Sequence, residues 1–267
     1  MLSRRHIIAG GLAAVAAPSI VRAAPITNRV TQRLVVLGDS YSDPLYDTAQ
    51  TSKVFPSWPE LLVNRGRAVS MRNLAVSGAT AMDYSSPLNG TFKKQLDTFL
   101  AAPNYGPDDI TVVYFGYNDI ARYADARWAN LNQAKADFRV GVDRLLTAGA
   151  ATGNRRLLIT AVHDWSRNPK KRTEFLPRTR HWLTFTYDFI AQRRATHRGM
   201  LCANVYRRFT DIFARPLVYG LQNVTTADPN NAGTTALFYN DNHFGAKGQQ
   251  LLADEFSRTL DLVCRTR

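Results

Sequence analysis

The stretch Leu34–Asp43, LVVLGDSYSD, decides the fold. Leu34, Val35, Val36 and Leu37 form a continuous apolar run rich in β-branched residues, the pattern of a parallel strand buried on both faces. Gly38 then permits a turn that a side chain would hinder, so Ser40 stands just past the strand's carboxyl end. In open α/β sheets that edge is where ligands bind. Taken alone, Ser40 or Asp39 could simply cap a helix. A catalytic reading needs a base and an oxyanion site on the same edge.

Outward from this stretch, strands and helices alternate. Ser57-Trp58-Pro59-Glu60 opens a helix, with proline acceptable in its first turn. A second strand is expected over residues 68–76, ending at Ser77-Gly78-Ala79, and a helix over 91–100. The third strand, 110–115, runs into Gly116-Tyr117-Asn118-Asp119, and a long helix follows with Leu131, Phe138, Val142 and Leu145 at helical spacing. Residues 157–162 read as a fourth strand, 174–197 as a helix with Trp182, Phe185 and Phe189 facing the core, and 200–205 as a fifth strand. Residues 210–242 show no clear period and read as a long irregular loop before a last helix over 245–263. This alternation implies parallel βαβ units in one doubly wound α/β domain over residues 24–267.

Residues 1–23 have a different character. Ser3-Arg4-Arg5 precedes an apolar run from Ile7 to Ala17, and Val21-Arg22-Ala23 suits small-residue cleavage. The run is shorter than the ~20 residues that span a bilayer. We expect an export signal, its paired arginines resembling the twin-arginine type, and hence a periplasmic or secreted protein. The chain carries a net charge of +13, and removing residues 1–23 deletes three arginines and no acids. The remaining excess favours anionic surfaces such as lipid head groups, acidic polysaccharide or nucleic acid. The densest basic run, Asn168-Pro169-Lys170-Lys171-Arg172, lacks interleaved aromatics and reads as a solvated loop, so no nucleic-acid partner is expected. Cys202 and Cys264 could pair in an oxidising compartment or stay as thiols. His163, His181 and His197 look isolated, no His/Cys cluster has metal spacing, and neither metal nor cofactor is implied.

Three strands in this reading end in groups suited to one reaction: Ser40 after the first, Gly78 after the second and Asn118 after the third. Parallel strands gather those ends on one edge, and His243 precedes the final helix where a loop can return it there. A serine needs a base to become nucleophilic near neutral pH, and histidine supplies one. Backbone N–H groups at Ser40 and Gly78 and the Asn118 amide would serve the oxyanion of acyl transfer.

These blocks, Gly38-Asp39-Ser40-Tyr41-Ser42-Asp43, Asn73-Leu74-Ala75-Val76-Ser77-Gly78-Ala79-Thr80, Gly116-Tyr117-Asn118-Asp119 and the late His243, resemble in order those of the GDSL, or SGNH, hydrolase family. The resemblance implies a flavodoxin-like three-layer α/β/α sandwich with a five-stranded parallel sheet. It also implies hydrolysis of carboxylic esters without cofactor or metal. By motif position Ser40 is the nucleophile, Gly78 and Asn118 are oxyanion donors, and His243 is the base. The absence of a Gly-x-Ser-x-Gly elbow argues separately against the α/β-hydrolase fold.

The family usually places an aspartate three residues before the histidine, where this chain has Asn240. Asp241, two residues before, is the expected acid; the alternative is a Ser–His pair without one. An exported esterase or lipase is the leading reading. An acyltransferase using the same pair and a catalytically silent glycan- or lipid-binding protein are the alternatives. The acyl pocket is expected from residues 44–56 and 210–242, whose aromatics include Phe213, Tyr219, Phe238 and Tyr239.

Overall fold

In the computed structural model, which describes residues 31–43, 55–83, 90–102, 104–122, 129–154, 156–170, 173–229 and 235–265, the run around Leu34 is strand β1 (Thr31–Gly38). Its residues Leu34 to Leu37 are fully buried. The export signal expected in residues 1–23 lies outside the described residues, as do Lys171 and Arg172 of the basic run and most of the 44–56 loop.

The chain continues through α1 (Trp58–Asn64), β2 (Ala68–Asn73), α2 (Phe92–Ala101), β3 (Ile110–Tyr114), α3 (Tyr117–Arg122), α4 (Ala129–Ala151) and β4 (Leu157–Thr160). It ends with α5 (Phe175–Arg194), β5 (Met200–Ala203), α6 (Val205–Ala214), β6 (Asn223–Ala227), β7 (Ala236–Phe238) and α7 (Ala246–Arg265). Strands β1 to β5 are all parallel, in the order β2-β1-β3-β4-β5. That is the flavodoxin-like order, with its switch point between β1 and β3. Helices α1 and α7 pack together, α2 packs on α4, and α4 on α5, giving the expected three-layer sandwich.

Local chemistry explains the starts. At α1 the Glu60 carboxylate accepts the Ser57 N–H at 2.7 Å, satisfying a donor the helix cannot. At α2 the Thr91 hydroxyl accepts from Lys94 N–H at 3.3 Å. Trp58 stacks on Phe256 with ring centroids 3.8 Å apart, locking α1 to α7. Trp182, Phe185 and Phe189 of α5 are buried, as their spacing predicts.

The reading of residues 210–242 as one irregular loop is corrected. They hold the second half of α6, a 3-10 turn at Pro216–Tyr219, and β6 and β7, which form a separate two-stranded parallel sheet. These elements are too short to display a period, and burial of single residues such as Phe209, Ile212 and Leu237 sustains them. Phe213 and Phe238, expected along an acyl pocket, are instead buried and stacked at 6.2 Å. Cys202 is a free, half-buried thiol, and desolvation pushes it up to about 12.

Candidate active site

Ser40 follows β1 on a tight turn in which the Asp39 carbonyl accepts from Ser42 N–H at 3.0 Å and Asp43 N–H at 3.1 Å. The strand end beneath it is pinned by Gln95 of α2. That buried amide accepts the Gly38 N–H at 2.9 Å and donates to the Gly38 carbonyl at 2.7 Å, closing a backbone pair as a neighbouring strand would. The Asp39 carboxyl is fully buried. One oxygen accepts from Tyr41 N–H at 3.0 Å, and desolvation holds the group well above the usual carboxylate range.

His243 comes back to this edge through a closed turn. Phe238 bridges Phe244, Tyr239 N–H donates to the His243 carbonyl at 2.9 Å, and Gly245 N–H donates to the Leu237 carbonyl at 2.8 Å. Inside the turn the Asn240 side-chain oxygen accepts from Asn242 N–H at 2.9 Å and His243 N–H at 2.8 Å. Only an oxygen can accept from two backbone N–H groups, which settles which amide atom lies there. The same oxygen is 3.0 Å from His243 Nδ1. Nδ1 therefore carries the proton, and Nε2 presents its lone pair to Ser40 Oγ at 2.8 Å.

The expectation that Asp241 stands behind the imidazole is corrected. Its carboxylate is 47% exposed and pairs with Lys170 Nζ at 3.2 Å. The turn folds residue 240 inward to bind its own backbone, which leaves residue 241 at the tip facing solvent. His243 thus has a neutral amide behind it, and burial lowers its pKa to about 4.

The edge expected to receive an oxyanion is built by two neighbouring segments. Gly78 adopts φ +77°, a left-handed backbone that favours glycine. A Cβ there would come 3.2 Å from Nη2 of Arg122, so the last turn of α3 brings a guanidinium beside this edge. Asn118 donates from Nδ2 to the Ala79 carbonyl at 2.8 Å, leaving a second amide hydrogen on the same nitrogen. Asp119 accepts from Ala81 N–H at 2.9 Å and Met82 N–H at 3.1 Å, and burial raises it to about 6. Consecutive residues of α3 thus clamp the segment that follows Gly78. Among the described residues, neither the Ser40 nor the Gly78 N–H has a hydrogen-bond acceptor.

Behind the histidine lies a buried polar chain that inspection of the sequence missed. Asn168 donates from Nδ2 to the Asn242 carbonyl at 3.1 Å and accepts from His163 Nε2 at 2.9 Å. His163 Nδ1 accepts from the Tyr117 hydroxyl, which in turn accepts from Tyr114 at 2.9 Å. Tyr41 also donates to the Asn242 carbonyl. Desolvation lowers His163 to about 3, so it is neutral and its donors and acceptors are fixed. His163 is a core histidine, as its isolation suggested. Nothing in the sequence links residues 114, 117, 163, 168 and 242, because the link exists only across three strand ends. No cluster of histidine, cysteine and acidic side chains suited to a metal occurs among the described residues.

The model of the family described as GDSL-like Lipase/Acylhydrolase matches residues 34–256. A phosphatidylcholine-sterol acyltransferase of Aeromonas hydrophila is 22% identical over 221 residues, covering 73% of this chain and 64% of that protein. The chain thus spans under two thirds of that relative's length. Axe2, an acetylxylan esterase from Geobacillus stearothermophilus, superposes with a TM-score of 0.53 at 12% identity, covering 86% of this chain and 94% of that one. LAE5, described as an alpha/beta hydrolase enzyme from the metagenome of Lake Arreo, Spain, gives 0.52 at 17% identity, covering 88% and 97%. At these identities the two structures speak to the fold alone.

Proposed function

The chain belongs to the GDSL-like lipase and acylhydrolase family, and on that premise we propose that it is an exported serine hydrolase that cleaves carboxylic esters through an acyl-enzyme on Ser40. The observation that carries this reading is the 2.8 Å contact between Ser40 Oγ and the unprotonated Nε2 of His243. Ser40 Oγ attacks the ester carbonyl carbon while its proton passes to Nε2. The oxyanion that forms meets the N–H groups of Ser40 and Gly78 and the second hydrogen of Asn118 Nδ2. Collapse breaks the bond to the alcohol, which leaves with the proton from Nε2. Water, deprotonated by the same nitrogen, then attacks the acyl carbon and releases the acid.

Asn240 takes the place that an acid would hold. It sets the tautomer of His243 but offers no negative charge to the imidazolium. Papain-like proteases work with an asparagine in that position, so the arrangement is chemically competent. A silent binding protein is disfavoured, since it has no need of an aligned Ser40–His243 pair. Transfer of the acyl group to an alcohol stays as a second reading, favoured by the likeness to an acyltransferase. The export part of the proposal rests on the arginine pair, apolar run and small-residue site of residues 1–23.

A serine-directed fluorophosphonate should label the wild-type protein, and Ser40→Ala should abolish both labelling and hydrolysis of p-nitrophenyl esters. Labelling that survives Ser40→Ala would refute the assignment. An added alcohol acceptor in the same assay separates hydrolysis from transfer. N-terminal sequencing of secreted or periplasmic protein should begin at Ala24.

A further inference from the structure

A second feature lies on α6 and α7, outside the Ser40 site. A cleft of about 690 Å³ is lined by Arg207, Arg208, Arg215 and Arg258 together with Asp211 and Glu255. Both acids are engaged by arginines of the cleft itself. Asp211 accepts from Arg215 Nε at 2.9 Å, and Glu255 accepts from Arg258 Nη2 at 2.6 Å. Four arginines against two acids leave the cleft with a net positive charge, and Arg207 has no carboxylate partner among the described residues. Arg208 Nε is buried with no hydrogen-bond acceptor among the described residues.

Directly after α6, the 3-10 turn Pro216–Tyr219 is closed by Gly220 in a left-handed conformation, φ +71°. Tyr219 folds back onto the cleft, with the Arg208 guanidinium 4.7 Å from its ring centroid and its hydroxyl donating to Asp211. That fold-back holds Leu217 and Val218 outward, 79% and 70% exposed, beyond every other large hydrophobic among the described residues. Isolated surface hydrophobics are ordinary. Two consecutive ones on a braced turn beside an arginine cleft are the pattern of an interfacial anchor, in which cations meet head-group phosphates while apolar side chains enter the acyl boundary.

We propose that the α6 face and its 3-10 turn dock this protein onto an anionic lipid surface. The positive excess that remains after loss of residues 1–23, which hold three of the chain's arginines and none of its acids, supplies long-range attraction. An acidic polysaccharide or nucleic acid would engage the arginines but leave Leu217 and Val218 in water, so lipid fits both halves of the face. Helix α6 also leans on the catalytic end, with Phe209 stacked on Phe244 at 4.5 Å, next to His243. Docking through this face would hold the Ser40 edge close to the bilayer. The inference is independent of the ester chemistry.

Co-sedimentation with phosphatidylcholine vesicles, with and without phosphatidylglycerol, tests it. Binding should require phosphatidylglycerol and weaken with salt. Arg207→Ala should lower vesicle affinity about fivefold, and the double variant Leu217→Ser, Val218→Ser at least about tenfold. Both variants should keep the wild-type thermal midpoint, so that loss of binding is not loss of fold. Failure to bind phosphatidylglycerol vesicles would overturn the proposal. So would binding that the double variant retains, which would assign the face to a polyanion.

Discussion

The Asn240 side-chain oxygen lies 3.0 Å from Nδ1 of His243 and at the same time accepts the N–H groups of Asn242 and His243. One amide therefore shapes the turn and sets the imidazole tautomer. Asp241→Asn should leave kcat within about twofold, because its carboxylate faces Lys170 and solvent. Asn240→Ala should lower kcat by roughly 100-fold or more, since it releases the tautomer that the Ser–His reaction needs. Steady-state kinetics on a p-nitrophenyl ester decides; equal losses in the two variants would contradict the geometry.

The pH profile follows from the same contact. The base works only when Nε2 is unprotonated, and burial holds His243 at about 4. The acid limb of kcat/KM should fall near that value, below the ordinary histidine range. Asn240→Asp puts a negative charge at Nδ1, which favours the imidazolium. Its acid limb should move to higher pH, and its kcat at neutral pH should rise. Profiles of the two proteins that superimpose would refute the role given to residue 240.

Two changes test the oxyanion edge. Asn118→Ala removes an amide donor and the tie to the Ala79 carbonyl, and should lower kcat on the order of 100-fold. Gly78→Ala forces a side chain into φ +77°, at a cost of roughly 1–2 kcal/mol, and displaces the N–H. It should reduce kcat with only a small change in KM, measured on the same ester series.

Gln95 holds both backbone groups of Gly38 in the core. Gln95→Leu leaves a buried N–H unpaired and weakens the hold on the carbonyl, at about 1–3 kcal/mol for an unsatisfied group. Chemical denaturation should show that loss of stability. Fluorophosphonate labelling should also slow, because the strand end carrying Ser40 is no longer pinned.

His163 links stability to pH. Its folded value is about 3 against an ordinary 6.5, so below 6.5 the unfolded chain takes up a proton that the folded protein refuses. The stability it contributes is fully present above 6.5 and is lost as pH falls toward 3. His163→Gln removes this titration, and its denaturation midpoint should vary less over that window than the wild type's.

Ser40, Gly78 and Asn118 were legible in the sequence because each directly follows a strand run, 34–37, 68–76 or 110–115, whose apolar residues mark it. Parallel strands then bring those ends to one edge, and the sheet order, with β2 and β3 flanking β1, makes them neighbours. The partner of His243 was not legible in the same way. Residues 240 and 241 differ by one position, and which side chain turns inward is decided by the Phe238–Phe244 bridge and by the backbone donors that close around Asn240. Helix α6, the chain from Tyr114 through His163 to Asn242, and the exposed turn at Leu217 were likewise settled by tertiary structure. Short elements have too few residues to show a period, and a hydrogen bond between side chains far apart in sequence leaves no mark on spacing. Local apolar pattern marked the strands and the edge on which Ser40, Gly78 and Asn118 gather; packing across that edge decided what stands behind His243.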